Sequence, residues 1–223
     1  MSPSMKETDT YLINEIFYSL QGEGFYSGRP AVFIRFAGCN LRCPFCDTDF
    51  SVRERLDAAA LVARAVSLRG DTSASHAAER PLLVLTGGEP SLQVDDALVS
   101  ALHEAGFYIA VETNGTHVLP EGIDWVTCSP KDAPVVLTQA DELKVVYRGQ
   151  DVETLYRSVK ASHGYLQPCD LTYEVGTRQP ATACPSRPAS SQPASTLKET
   201  VAYILSHPHW RLSLQIHKHL GIP

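Results

Sequence analysis

Residues 37–50, AGCNLRCPFCDTDF, carry three cysteines, Cys39, Cys43 and Cys46, in one short loop. The stretch before them, AVFIRFAG (31–38), is apolar, β-branched and aromatic and ends on glycine, which predicts a strand delivering the loop at its C-terminal end. Asn40, Arg42 and Pro44 between the cysteines suit a tight turn. A structural zinc site closes with four Cys or His ligands. The next candidates here, Cys128 and His76, lie far along the chain without paired spacing. An iron–sulfur cluster held by three thiolates would keep one iron open to another ligand. The Cys-x3-Cys-x2-Cys spacing thus favours a cluster over zinc, with incidental thiols as the remaining reading.

Apolar runs and helical patterns alternate outward from this loop, which predicts α/β architecture. Helical spacing covers LDAAALVARAVSL (56–68) and VDDALVSALHEAG (94–106), the second closed by Gly106. Between them PLLVLTGGEP (81–90) reads as a strand broken by two glycines and a proline. Further strands are expected at YIAVETNG (108–115), DWVTCS (124–129), ELKVVY (142–147) and YLQP (165–168), with a helix at VETLYRSVKASH (152–163). The connections THVLPEGI and PKDAPVVLTQAD carry Pro and Gly where crossover helices would be expected. This predicts a partial, reduced TIM-like βα barrel of about six strands and three main helices, with its site at the C-terminal strand ends. Residues 177–195, rich in Pro, Ser and Ala, read as a flexible insertion within one domain spanning 1–223, and Cys184 inside it as incidental. A helix at TLKETVAYILSH (196–207) and a strand at WRLSLQIHK (210–218) complete the pattern.

At 43% hydrophobic residues the chain has material for a real core, so its six cysteines are not needed as disulfide staples. Three clustered thiols and no export signal predict a metal site in a reducing cytoplasm. A net charge of −6 gives no general reason to expect nucleic acid as a partner. No apolar run is long enough to predict a membrane span.

The cysteine spacing is similar to that of the radical S-adenosylmethionine (SAM) superfamily, and TGGEP (86–90) resembles that family's Gly-Gly-Glu-Pro stretch. Alone, TGGEP reads as a strand-ending turn. Within the superfamily, the ordered set EIFYSLQGEG, GRPAVFIRFAGCNLRC, CDTDF, TGGEP, VETNGT, SPK, ELKVV, LQP and WRLSLQIHKHLGIP resembles the 7-carboxy-7-deazaguanine synthases. The likeness lapses only at 177–195. It implies one [4Fe–4S] cluster on Cys39, Cys43 and Cys46, with SAM on the open iron cleaved reductively to a 5′-deoxyadenosyl radical. The implied reaction is a ring contraction of 6-carboxy-5,6,7,8-tetrahydropterin with loss of ammonia, assisted by magnesium, in queuosine or deazapurine biosynthesis. A reductant such as flavodoxin and a homodimer are implied as well.

The resemblance also implies roles residue by residue. SAM contacts fall on Phe45, Cys46, Asp47, Gly88, Ser129, Pro130, Lys131, Gln167, Pro168, Cys169 and Asp170, Cys169 by position only. The hydroxyl of Thr48 is implied on magnesium, although the ion's preference for carboxylates would point to Asp47 or Asp49. Substrate contacts fall on Leu20, Gln21, Gly22, Glu23, Arg35, Thr86, His217 and the carboxylate of Pro223. Chemically, Gln21 and Glu23 suit the donor–acceptor edge of a pterin, and the Arg35 guanidinium suits its carboxylate. His217, alone in an expected strand, also suits a structural role. Two alternatives remain at this level: a glycyl-radical activating enzyme, which shares the cysteine spacing, and a zinc-stabilised binding module.

Overall fold

The computed structural model describes residues 10–69, 80–170 and 195–223. The stretch 177–195 apart from its last residue, with Cys184, lies outside the described residues, as does His76. Alternation of side chains in PAVFIRF settles how the sheet is used. Val32, Ile34 and Phe36 point to a helix-covered face and are buried, whereas Phe33 and Arg35 point to the opposite, concave face.

Among the described residues nine strands form one open sheet in the order β3-β1-β2-β4-β5-β6-β7-β8-β9. They are β1 (Tyr11–Leu20), β2 (Pro30–Phe36), β3 (Glu54–Leu56), β4 (Leu82–Gly87), β5 (Tyr108–Thr113), β6 (Trp125–Cys128), β7 (Gln139–Tyr147), β8 (Lys160–Pro168) and β9 (Trp210–Leu212). From β2 through β9 every neighbouring pair is parallel, and β1 and β3 form an antiparallel margin. Helices α1 (Ala58–Arg69), α2 (Asp96–Glu104), α3 (Val152–Ser158), α4 (Leu197–Ser206) and α5 (Ile216–Leu220) complete the architecture. Helices α1 and α2 place Leu61, Ala65, Leu98 and Leu102 on the face formed by Ile34, Leu83, Leu85 and Ile109. A second core joins Leu143, Val145 and Leu166 to Val152 and Trp210.

The partial βα barrel is as expected, with nine strands and five α-helices among the described residues where about six and three were expected, and β5–β6 and β6–β7 are joined without helices, as the prolines and glycines there predict. Three details differ. Strand β1 carries a register shift between Ile13 and Glu15, which breaks the alternation that would have announced it. The helix expected over 152–163 stops at Ser158, because Lys160–Pro168 ladders along β7 and pairing overrides helical spacing. The strand expected over 210–218 ends at Leu212, where pairing with β8 runs out. Ser213 N–H then donates to Leu166 O at 2.9 Å, and Ile216 N–H to Gly22 O at 2.9 Å, so His217 sits on helix α5 rather than on a strand.

Candidate active site

The cysteine loop is anchored by backbone contacts that only glycine permits. Gly88 N–H donates to Phe36 O at 3.0 Å and Glu89 N–H to Gly38 O at 2.9 Å, while a Cβ on Gly88 would lie 1.8 Å from Gly38 O. Glu89, buried to 1% exposure, accepts from Thr113 Oγ1 at 2.6 Å, Asn114 N–H at 2.7 Å and Ser91 N–H at 3.0 Å. Asn114 Nδ2 donates to Asn40 Oδ1 at 3.0 Å, and Asn40 Nδ2 to Thr116 Oγ1 at 2.9 Å. TGGEP and VETNGT therefore clamp the loop from below.

Within the loop Cys46 N–H donates to Cys43 O at 3.1 Å. Desolvation raises the thiol pKa of both Cys43 and Cys46, and the Lys131 ammonium opposes it. Three half-buried thiols in one loop, two of them near that cation, suit an anionic sulfur-ligated cluster. Among the described residues no three His, Cys, Asp or Glu side chains group closely enough to hold a single metal ion. Around the loop, Lys131 Nζ donates to Ser129 Oγ at 2.7 Å, beside Pro130, and the Arg148 guanidinium stacks 4.4 Å from the Phe45 ring centroid. Cys169 is buried, its N–H donating to Thr196 Oγ1 at 2.9 Å, which accounts for it as packing between Pro168 at the end of β8 and α4.

The concave face holds a second, charged centre. Lys144, 4% exposed in its side chain, reaches Glu23 Oε2 at 2.8 Å and Glu112 Oε2 at 2.8 Å. Gln167 Nε2 and Gln215 Nε2 donate to Glu23 Oε1 at 3.3 and 3.0 Å, and Gln21 Nε2 to Glu112 Oε1 at 3.4 Å. Burial opposes the charge of Glu23, but Lys144 above all holds it down at about 2. For Glu112 burial prevails over Lys144, and Glu142 and Glu23 add repulsion, so its pKa rises to about 7. Desolvation likewise lowers His217, whose Nδ1 would lie 2.2 Å from a Cβ on Gly22.

The expected substrate residues gather at this mouth. Leu20 ends β1, Gln21 to Glu23 follow it, and Thr86 sits beside Arg35 across the parallel ladder. Arg35 Nε donates to Glu15 Oε1 at 2.7 Å, so one edge of the guanidinium is already engaged. Pro223 lies at the rim, its carbonyl oxygen accepting from Ser19 Oγ at 2.9 Å. Gln167, expected near SAM, is hydrogen-bonded to Glu23 and Ser213. Asp47 and Asp170 are linked through Lys218 at 2.5 and 3.0 Å. Sequence reasoning missed Glu112, Lys144, Gln215 and Lys218. The signal for two of them is a charged residue alternating with apolar ones in VETNGT and ELKVV.

Residues 33–168 match the model of the radical SAM superfamily. A relative from Bacteroides thetaiotaomicron, named 7-carboxy-7-deazaguanine synthase, is 46% identical over 94% of this chain and 97% of its own. The chain belongs to the 7-carboxy-7-deazaguanine synthase family of radical SAM enzymes. A relative of the same name from Caulobacter vibrioides is 44% identical over 96% of this chain and all of its own. The crystal structure of QueE from Escherichia coli is similar at a TM-score of 0.63 and 28% identity, covering 92% of this chain and 93% of that one.

Proposed function

We propose that the chain converts 6-carboxy-5,6,7,8-tetrahydropterin to 7-carboxy-7-deazaguanine with loss of ammonia, acting as one domain. The observation that carries this reading is the buried Lys144 shared by Glu23 and Glu112 on the face below the open cysteine loop. A pterin presents neighbouring ring N–H, amino and carbonyl groups, and this face offers carboxylate acceptors, amide side chains and one ammonium in a desolvated setting. Gln21 and Glu23 read the ring edge, with Leu20 and Gly22 shaping the wall. Arg35 directs its free edge to the substrate carboxylate, the carboxylate of Pro223 accepts from an N–H or amino group of the ring, and Thr86 and His217 line the sides. Glu112, whose pKa burial pushes up against Lys144, completes this face by holding Gln21 and Lys144 in place.

Cys39, Cys43 and Cys46 would hold a [4Fe–4S] cluster, and Phe45, Gly88, Ser129, Pro130, Lys131 and the ends of β8 at Gln167 to Asp170 would cradle SAM. Bound there, the pair supplies a 5′-deoxyadenosyl radical that can abstract hydrogen from the substrate. Magnesium is assigned to the hydroxyl of Thr48. Supporting this, the neighbouring carboxylates have partners: Asp47 meets Lys218 at 2.5 Å and Asp49 accepts from Ser51 N–H at 2.9 Å. A flavodoxin-like reductant, a homodimer, a cytoplasmic setting and a product destined for queuosine or another deazapurine complete the proposal. Among the described residues no helix is long and apolar enough to cross a membrane.

The test is anaerobic turnover of the reconstituted enzyme with the tetrahydropterin, SAM, magnesium and reductant. Ammonia and a product with the mass and ultraviolet absorption of 7-carboxy-7-deazaguanine are expected. Cleavage of SAM without that product would overturn the substrate while leaving the radical chemistry standing.

A further inference from the structure

Helix α5 spans only Ile216–Leu220 and buries none of its residues. Isolated helices shorter than ~12 residues are marginal in water, so neither propensity nor apolar packing explains why this one is in place. Its polar ties do. Lys218 Nζ reaches Asp47 Oδ2 at 2.5 Å, directly after the third cysteine, and Asp170 Oδ2 at 3.0 Å, just past β8. Gln215, three residues earlier and on the same side, donates from Nε2 to Asp47 Oδ2 at 3.3 Å and to Glu23 Oε1 at 3.0 Å. One short segment therefore touches the cysteine-loop side and the concave-face side together. Burial opposes charge on Lys218, but Asp47 and Asp170 push its pKa above the ordinary lysine range.

We propose that Lys218 is a positioning residue that fastens α5 between the cysteine loop and β8, so that Gln215 and His217 are seated on the substrate face only when the cofactor side is in register. Its consequence for turnover rests on the reaction proposed above: radical formation is coupled to a seated substrate. The helix itself need not meet either ligand through Lys218 for this to hold.

The experiment compares Lys218→Met and Lys218→Arg with the parent in the reconstituted holoenzyme. Amide hydrogen exchange in residues 215–222 should quicken about tenfold in Lys218→Met while strands β2 to β8 stay as protected as before. The substrate KM should rise about tenfold and 5′-deoxyadenosine released per product about fivefold, with SAM affinity unchanged within twofold. Lys218→Arg should restore most of each effect. Unchanged exchange in 215–222 overturns the proposal. So does faster exchange with an unchanged ratio of 5′-deoxyadenosine to product, which would make the lysine merely structural, or a loss confined to SAM affinity. If the parent makes no deazapurine at all, the proposed reaction fails, and the exchange measurement still decides whether Lys218 fastens the helix.

Discussion

At the scale of single residues, three carboxylates and one lysine set the electrostatics of the concave face. Glu112 has its pKa raised to about 7 by burial first, against Lys144. A carboxyl with a raised folded pKa stabilises the fold below its unfolded pKa of ~4.5 and loses that contribution as pH rises to about 7. Glu23 has the opposite sign: held at about 2, its contribution is present above ~4.5 and is lost as pH falls toward 2. Glu112→Gln should therefore gain stability relative to the parent between pH 5 and pH 8, read by denaturant unfolding at both values. An equal difference at the two pH values would contradict the assignment. Gly88 is the sharper test of the loop anchor, since its missing Cβ makes room for Gly38 O. Gly88→Ala should cost about 1–3 kcal/mol from overpacking and lower the iron retained after reconstitution several-fold. Sulfide and iron assays on the folded variant check it.

At the scale of elements, strands β2, β4 and β5 were legible because each is a dense apolar run bounded by Gly or Pro. The missing crossover helices were legible for the same reason, in the prolines between β5 and β7. Where the reading failed, pairing decided against local pattern: VKASH carries helical spacing, yet its backbone ladders along β7. The change at residue 213 was hidden because SLQIHK alternates as a strand would, while the partner β8 has no more edge to offer there. Helix α5 ends at Gly221, whose φ of 65° is left-handed. Gly221→Ala should thus strain the turn that brings Pro223 to Ser19. A several-fold rise in substrate KM with unchanged cluster content is expected from steady-state kinetics.

At the scale of the molecule, the cysteine loop, its glycine anchor and the substrate loop were readable because each is a local motif. The charged centre was not, because it draws Glu23, Glu112, Lys144, Gln167 and Gln215 from five separate segments that only the sheet brings together. The same geometry bears on the stretch 177–195. Asp170 and Ser195 pair in an isolated antiparallel bridge, so the two flanks already meet. Replacing 177–194 by a short Gly-Ser link should leave turnover within about threefold of the parent, as measured by product formation.

The contact of Ile216 N–H with Gly22 O and of Gln215 with Glu23 joins nearly opposite ends of the described chain. From β4 to β9 each strand lies beside its predecessor, so on the ribosome this part of the sheet can grow one strand at a time. The charged centre, by contrast, waits for Gln215 and Ile216, so a nascent polypeptide that has not yet reached them would own the strands without owning that centre.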